Sequence, residues 1–527
     1  MYIQVRSLLQ LLRSLLPLCI IFLSVPLFAQ ELVKRQEFHD PGIIKTEYFV
    51  DAQDTTQIEG EYKRFYASSQ SLELKTYYKD GKEHGMHEEY YENGRLKAKY
   101  QYKEGKIDGP YIKYYQSGRP EVKCIYVDGE IEGEMQRFNP DNSLAAKVAF
   151  VDGLREGDMV QYYPNGNIMS IHHYKSDKKN GAIIALSQEG DTLQKGTYLN
   201  DALSDTFFVF APTGQIATKS HFKEGKLHGF TFNYYPDGVL KEKLHYKEGK
   251  EHGTSFTYYP SGQLKTKTDY EEGKMNGNFV SYYENGKVKT EMQTLAGQKT
   301  GMYKMYKEDG TLAVEGNMQN GKIHGENLGY YADGSLKHKF NYHYGKKTGN
   351  NFIYHPNGEV KEKTVYKGGE RNRKTETYFA NGNQQSDVEY RNDAPYGKWS
   401  YYHENGQLAK VETYEEGLLE GEVKTYYESG NLKSSTNYYK GNKNGTSTEY
   451  YDNKDAKKLE IPYNNKGLVY GIVIEYYENG TKKSQGKQYM EKKLGEWKYY
   501  DNSGKLIKTE VYEKGKLLKT IPAENEK

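Results

Sequence analysis

From residue 70 to residue 430 one turn recurs every 24 residues without a slip in register. Gly94, Gly118, Gly166, Gly190, Gly214, Gly238, Gly262, Gly286, Gly310, Gly334, Gly358, Gly382, Gly406 and Gly430 all fall on this row. Gln70 opens it, Asn142 fills its interior gap, and Gly480 and Gly504 resume it after a two-residue insertion. A fixed period in the twenties marks a repeat array, in which each unit is too small to bury a core and is stabilised by stacking on its neighbours. A chain of 527 residues would otherwise suggest three or four globular domains. Here the period predicts a single array of small units.

The residues around the row identify the turn: YENG at 91–94, YPNG at 163–166, YPDG at 235–238 and YPSG at 259–262. Proline stands two residues before the row at Pro140, Pro164, Pro212, Pro236, Pro260 and Pro356. Its ring sets φ near −65°, which suits the first central position of a type I turn and opposes a two-residue type I′ turn. A three-residue loop follows, ending on a left-handed glycine in a G1 bulge. Asn142 fits, since asparagine tolerates that conformation. Gly94, Gly118, Gly166, Gly238, Gly262 and Gly286 are therefore expected as structural turn residues, and the unit as a β-hairpin.

This loop length places the residue four before the row roughly opposite the one two after it. The first position is aromatic in 18 of 19 units, Leu186 being the exception, and the second is mostly aliphatic, as at Leu96, Leu240 and Leu264. Eight after the row come Tyr78, Tyr102, Tyr126 and their successors. Period-two alternation assigns these three rows to one aromatic face and the lysines between them to the other. A second short turn, such as DGKEHG at 80–85 or EGKLHG at 224–229, joins each unit to the next. With two short loops per unit the chain must meander antiparallel. The expected fold is all-β: an elongated single-layer antiparallel β-meander of about 19 tandem 24-residue hairpins and about 38 strands.

Composition agrees. Mean hydropathy is −0.95, yet there are 54 tyrosines and aromatics reach 14%, which favours a half-buried sheet over a disordered chain. Residues 1–29 break the pattern: Arg6 and Arg13 precede an apolar run from Leu15 to Phe28 ending at Ala29, which reads as a secretory signal peptide. Residues 30–57 are expected to cap the array, 58–518 to form it, and 519–527 to be a polar, frayed tail. Removing Arg6 and Arg13 takes the formal net charge from +2 to zero. A neutral exported chain has no electrostatic reason to bind nucleic acid or an anionic membrane. Cys124 is the single cysteine left, so no internal disulfide forms.

The units resemble the bacterial variant of the MORN repeat. Tyr90-Tyr91-Glu92-Asn93-Gly94 and Glu104-Gly105-Lys106-Ile107-Asp108-Gly109 carry its aromatic pair, its Asn-Gly turn and its Glu-Gly-Lys-x-x-Gly closure. The resemblance covers about residues 58–518. It implies an assembly scaffold, with lipid binding proposed for such arrays, and an antitoxin-like label carried by many of these chains. A signal peptide departs from a cytosolic antitoxin role.

No catalytic constellation, cofactor motif or metal site is expected. His84, His228, His252 and His324 recur, but other units place Asp108, Glu132 or Asn276 there, so a turn-forming role is the expectation. Candidate partner contacts are the rings one residue after the minus-four row, Tyr91, Tyr115, Tyr163, Tyr235, Tyr259, Tyr283 and Tyr331. They are set beside the lysines and are free of the first face. Stiffening of the sheet by aromatic–lysine pairing is the alternative for them. Residues 177–213 depart from the norm: Asp177, Asp201 and Asp205 replace turn glycines, and Phe207, Phe208 and Phe210 make the strand apolar. That stretch reads either as a contact site or as a bend. The expected function is a non-catalytic exported scaffold, periplasmic, envelope-associated or secreted, binding a protein partner. A cell-envelope glycan held by tyrosine rows, or an antitoxin-like role, is the alternative.

Overall fold

The computed structural model describes residues 31–453 and 456–523. The expected signal peptide, 1–29, lies outside them, as do Gln30 and residues 524–527 of the expected tail. The chain divides into two compact units, Met1–Leu203 and Ser204–Lys527. Each is, over its described residues, an antiparallel β-meander without helix, in which the substantial packing runs between strands adjacent in sequence.

The first turn forms as its prolines and glycines require. Gly94 N–H donates to Tyr91 O at 2.8 Å and Tyr91 N–H to Arg95 O at 2.8 Å, enclosing a three-residue loop. Gly94 has φ of 80°, and Asn142 takes the same region at 76°. Gly118, Gly166, Gly238, Gly262 and Gly286 lie between 83° and 90°. Tyr90 stands opposite Leu96, as the loop length requires. The opening turn is one residue longer: Tyr66 N–H reaches Ser71 O at 3.0 Å, and Phe65, not Tyr66, faces Leu72.

The second turn is a tighter object. Lys79 pairs with Lys82 around Asp80 and Gly81, whose φ values of 52° and 73° make a two-residue type I′ turn. Further on, Gly85 again has positive φ, 82°, and marks a bulge. That bulge splits seven strands in two, for example Lys82–Glu83 and Gly85–Tyr90, and three strands, Leu32–Asp40, Ile43–Asp51 and Lys516–Pro522, flank the 19 hairpins, so 48 strands occur among the described residues instead of about 38. Successive second turns are tied together, Gly105 N–H to Glu83 O at 2.9 Å and Gly129 N–H to Ile107 O at 2.8 Å.

The face assignment needs correction. A register shift between Glu89 and Tyr90, repeated in most units, interrupts the alternation and turns the minus-four ring over. Tyr90 consequently donates to Glu88 at 2.9 Å, and Tyr330 to Glu315 at 2.7 Å. The ring ladder keeps the plus-eight row, with Tyr126, Tyr390 and Tyr414, and completes it with rings from outside the three expected rows: His87–Tyr100–Tyr111–Tyr126 in the first unit and Tyr390–Trp399–Tyr414 in the second, with centroids 4.4–5.5 Å apart. Between these rings the buried positions are filled by small residues, including Thr76 at 0% exposure, Ala98, Ser170 and Thr268. Some are satisfied across the strands by hydroxyl pairs such as Thr436–Ser447 at 2.6 Å, whereas the buried Thr76 hydroxyl has no hydrogen-bond partner. The C-terminal segment differs from its expectation too, since Lys516–Pro522 is a strand paired with Leu506–Glu513.

Candidate interaction surface

The structure places the seven candidate tyrosines in one repeated setting. The Tyr91 hydroxyl donates to Tyr114 O at 2.8 Å, Tyr115 to Phe138 O at 2.7 Å and Tyr163 to Leu186 O at 2.9 Å. In the second unit Tyr235, Tyr259, Tyr283 and Tyr331 reach the carbonyls of Tyr258, Tyr282, Tyr306 and Tyr354 at 2.6–3.0 Å. Each hydroxyl thereby ties its hairpin to the next. The lysines stand where sequence spacing put them, with Lys265, Lys289 and Lys337 at 5.4–5.8 Å over the rings of Tyr259, Tyr283 and Tyr331.

Phe207, Phe208 and Phe210 lie half-buried on one strand of the second unit. Phe207 meets Phe222 edge-on at 6.2 Å, Phe208 stacks on Phe210 at 6.3 Å, and Lys219 caps Phe208 at 5.8 Å. Asp177, Asp201 and Asp205 hold positive φ of 66°, 67° and 61°, adopting the conformation of the glycines they replace.

Charge on the face carrying the minus-four rings is organised as rungs, such as Lys99–Glu88 at 3.0 Å and Lys75–Glu61 at 2.9 Å. Exposed pairs of this kind contribute little stability singly. Burial, reinforced by the Glu88 hydrogen bond, pushes the Tyr90 phenol up to about 12. Burial raises the Cys124 thiol to about 11, which leaves it a poor nucleophile at neutral pH.

The recurring histidines occupy an acceptor position. Where other units have Glu132, Glu156 or Asn276, the side chain accepts the first backbone N–H of the following second turn at 2.8–3.0 Å. Of the four histidines His324 fills this role, its Nδ1 facing the equivalent Tyr344 N–H at 3.4 Å, while the buried Nδ1 of His84, His228 and His252 has no hydrogen-bond partner. Among the described residues no group of three or more His, Cys, Asp or Glu converges as a metal site, and no helix is long and apolar enough to cross a membrane.

Two features escaped sequence reasoning. Nine residues after the turn row, beside the second turn, lysine is the commonest residue, as at Lys79, Lys103, Lys175, Lys223, Lys247 and Lys367, but Val127 and Val151 are apolar in consecutive units, and Leu199 and Leu295 are apolar singly. Ile125, Val127, Val151 and Leu154 stand 50, 49, 48 and 45% exposed on the first unit, and Val151 pairs directly with Leu154. The second feature is Arg373, which interrupts the row of bulge glycines running through Gly349 and Gly397. Aligning each column of the period would have exposed both.

The repeat residues 83–104, 155–176, 227–248, 251–272, 275–295, 347–367, 395–416, 419–440 and 493–514 match the family described as MORN repeat variant. These nine units are MORN repeat variants. The matched MORN units are spread through both compact units. No curated protein matches the chain. Among solved structures, a chain of the crystal structure of TcdB2-TccC3-Cdc42 matches at 12% identity over 91% of this chain and 32% of that one, with a TM-score of 0.14. One in the Photorhabdus luminescens Tc holotoxin pore matches at 11% over 93% and 35%, with a TM-score of 0.13. This MORN array spans about a third of the length of those chains.

Proposed function

We propose that this MORN array is a non-catalytic exported scaffold that binds a protein partner along the edge formed by its second turns. The supporting observation is the exchange of lysine for valine at Val127 and Val151 beside exposed Ile125 and Leu154. Contiguous apolar side chains left in water mark interaction sites more often than scattered ones do. Leu199 and Leu295 leave the same row apolar at single units, whereas Val127 and Val151 follow one another with Ile125 and Leu154 on the same turns, so a partner that covers this stretch takes several apolar side chains out of water at once.

Restoring the default residue tests this. The variant Val127→Lys/Val151→Lys/Leu154→Lys should keep the wild-type circular dichroism spectrum and lose a partner captured from an envelope extract and then purified. Undiminished binding of that partner would refute the assignment. A glycan reading would instead require that Tyr259→Ala and Tyr283→Ala abolish binding on a glycan array. The tyrosine hydroxyls already serve the backbone, which favours the protein partner.

A further inference from the structure

Arg373 stands where the neighbouring units have Gly349 and Gly397, with φ of 58° and 69°. A non-glycine residue that stays out of that region cannot make the bulge, so the two extra residues must go elsewhere. They enter the turn. Pairing runs unbroken from Glu362↔Thr377 to Tyr366↔Arg373, and Lys367 N–H closes a four-residue loop on Asn372 O at 2.9 Å. The loop is anchored, because Glu370 accepts Lys347 N–H at 2.8 Å and Asn372 Oδ1 accepts Asn392 N–H at 2.8 Å.

Beside the widened turn lies a cavity of about 370 Å³ lined by Lys367, Arg373, Lys374, Glu389, Arg391 and Asn392, with others. The equivalent place beside Gly277 has one of about 340 Å³ without a charged side chain in its lining, so the lining is what sets this cavity apart. Two of its cations are committed: Arg373 to Asp393 at 2.7 Å, and Lys374 to Asp387 at 3.0 Å and Glu376 at 3.3 Å. Among the described residues neither Lys367 nor Arg391 has an ion-pair partner. Arg391 is held by stacking, its guanidinium 3.6 Å over the Tyr396 ring, which fixes the group and leaves its N–H edge available. Glu389 is the one carboxylate in the lining, and it too lacks an ion pair among the described residues. An oriented guanidinium beside an amine suits an oxyanion. A carboxylate and an amide next to them suit hydroxyls.

We propose that this cavity binds an acidic saccharide, a sugar bearing a carboxylate or a phosphate. Arg391 and Lys367 hold the oxyanion, and Glu389 and Asn392 take sugar hydroxyls. The site is independent of the edge assigned to a protein partner and lies in the other compact unit.

Isothermal titration of the mature chain with glucuronate, glucose 6-phosphate, glucose and inorganic phosphate tests the proposal. At least one acidic sugar should bind, and whichever does identifies the oxyanion. Arg391→Ala and Lys367→Ala should each weaken it about tenfold, the loss of one charged hydrogen bond, while Lys265→Ala, at a remote repeat, leaves it unchanged. All three side chains sit at the surface, so unchanged circular dichroism is expected to accompany each variant. The proposal is overturned if neither acidic sugar binds, or if glucose or bare phosphate binds as well as its acidic counterpart. Indifference to both cavity variants would overturn it equally.

Discussion

The Tyr91 hydroxyl lies 2.8 Å from the backbone carbonyl of Tyr114, the residue that ends the next hairpin's first strand. Where the repeat has histidine in place of this tyrosine, the bond survives: His355 and His403 direct Nε2 at Tyr378 O and Tyr426 O at 2.9 and 3.0 Å. Keeping a donor across two unlike rings argues that the bond, rather than the ring, is what the position supplies. It fastens the first-turn edge of each hairpin to its successor, as the hydrogen-bonded second turns fasten the other edge.

Removing one such donor should loosen one junction. Tyr283→Phe keeps the ring under Lys289 but leaves Tyr306 O without its 2.8 Å partner. The expected cost is about 1 kcal/mol. Native-state hydrogen exchange should report it as faster opening of the strands around residues 282 and 306, with distant repeats unaffected. Protection equal to wild type would show that the hydroxyl does nothing for the fold.

The left-handed turn residue offers a backbone test free of packing. A Cβ added at Gly94 would meet nothing within 4 Å, so any penalty comes from its φ of 80°. Gly94→Ala should cost about 1–2 kcal/mol, and Gly94→Asn less, as Asn142 already shows that asparagine is accepted. Equal urea stability of the two variants would contradict this account.

The turn row was legible in the sequence because proline and glycine report backbone angles directly. Pro164 sets φ at one position and Gly166 supplies positive φ two residues later, so the loop length followed from chemistry, and with it the pairing of Tyr162 with Ile168. The faces were less legible. Alternation holds only while the ladder is unbroken, and the shift beside Tyr162 reverses the ring with no change in residue type to announce it. The tethers were hidden for a different reason: the acceptor is a carbonyl, which every residue has. The wide turn and charged lining near Arg391 were hidden because they mark a glycine that is missing, a signal visible only by comparing columns of the repeat.

Near the C-terminus a carboxylate is held charged by its neighbours. Lys508 donates to Glu510 at 2.8 Å, the Tyr512 hydroxyl donates to it at 2.7 Å, and these bonds, the amine first, bring the Glu510 carboxyl down to about 2. A folded value below the ordinary 4.5 stabilises the fold fully above pH 4.5, and the contribution fades as pH falls through about 2. Glu510→Gln should therefore destabilise the terminal repeats at pH 7 and flatten their stability between pH 4.5 and 2. Acid titration followed by Trp497 fluorescence would show it, and parallel curves for the two proteins would sink the idea.

His87 supplies the opposite ionisation and a different window. Its ring is stacked 4.4 Å from Tyr100 and meets Tyr102 at 5.2 Å, with Glu83, 3.6 Å from Nδ1, as its nearest carboxylate. Burial depresses it to about 4, outweighing the pull of Glu89 toward the charged form, while Arg64 adds to the depression. The folded protein thus keeps His87 neutral while the unfolded chain takes up a proton below the ordinary 6.5. Stability around this hairpin should be constant above pH 6.5, fall as pH drops toward 4, and level off below. The loss amounts to about 3 kcal/mol at most. A repeat array opens locally rather than all at once, so the measurement is exchange of the Tyr100 amide across that range. In His87→Phe the dependence between pH 6.5 and 4 should largely vanish. If the variant kept the wild-type slope, the titrating group would be another residue.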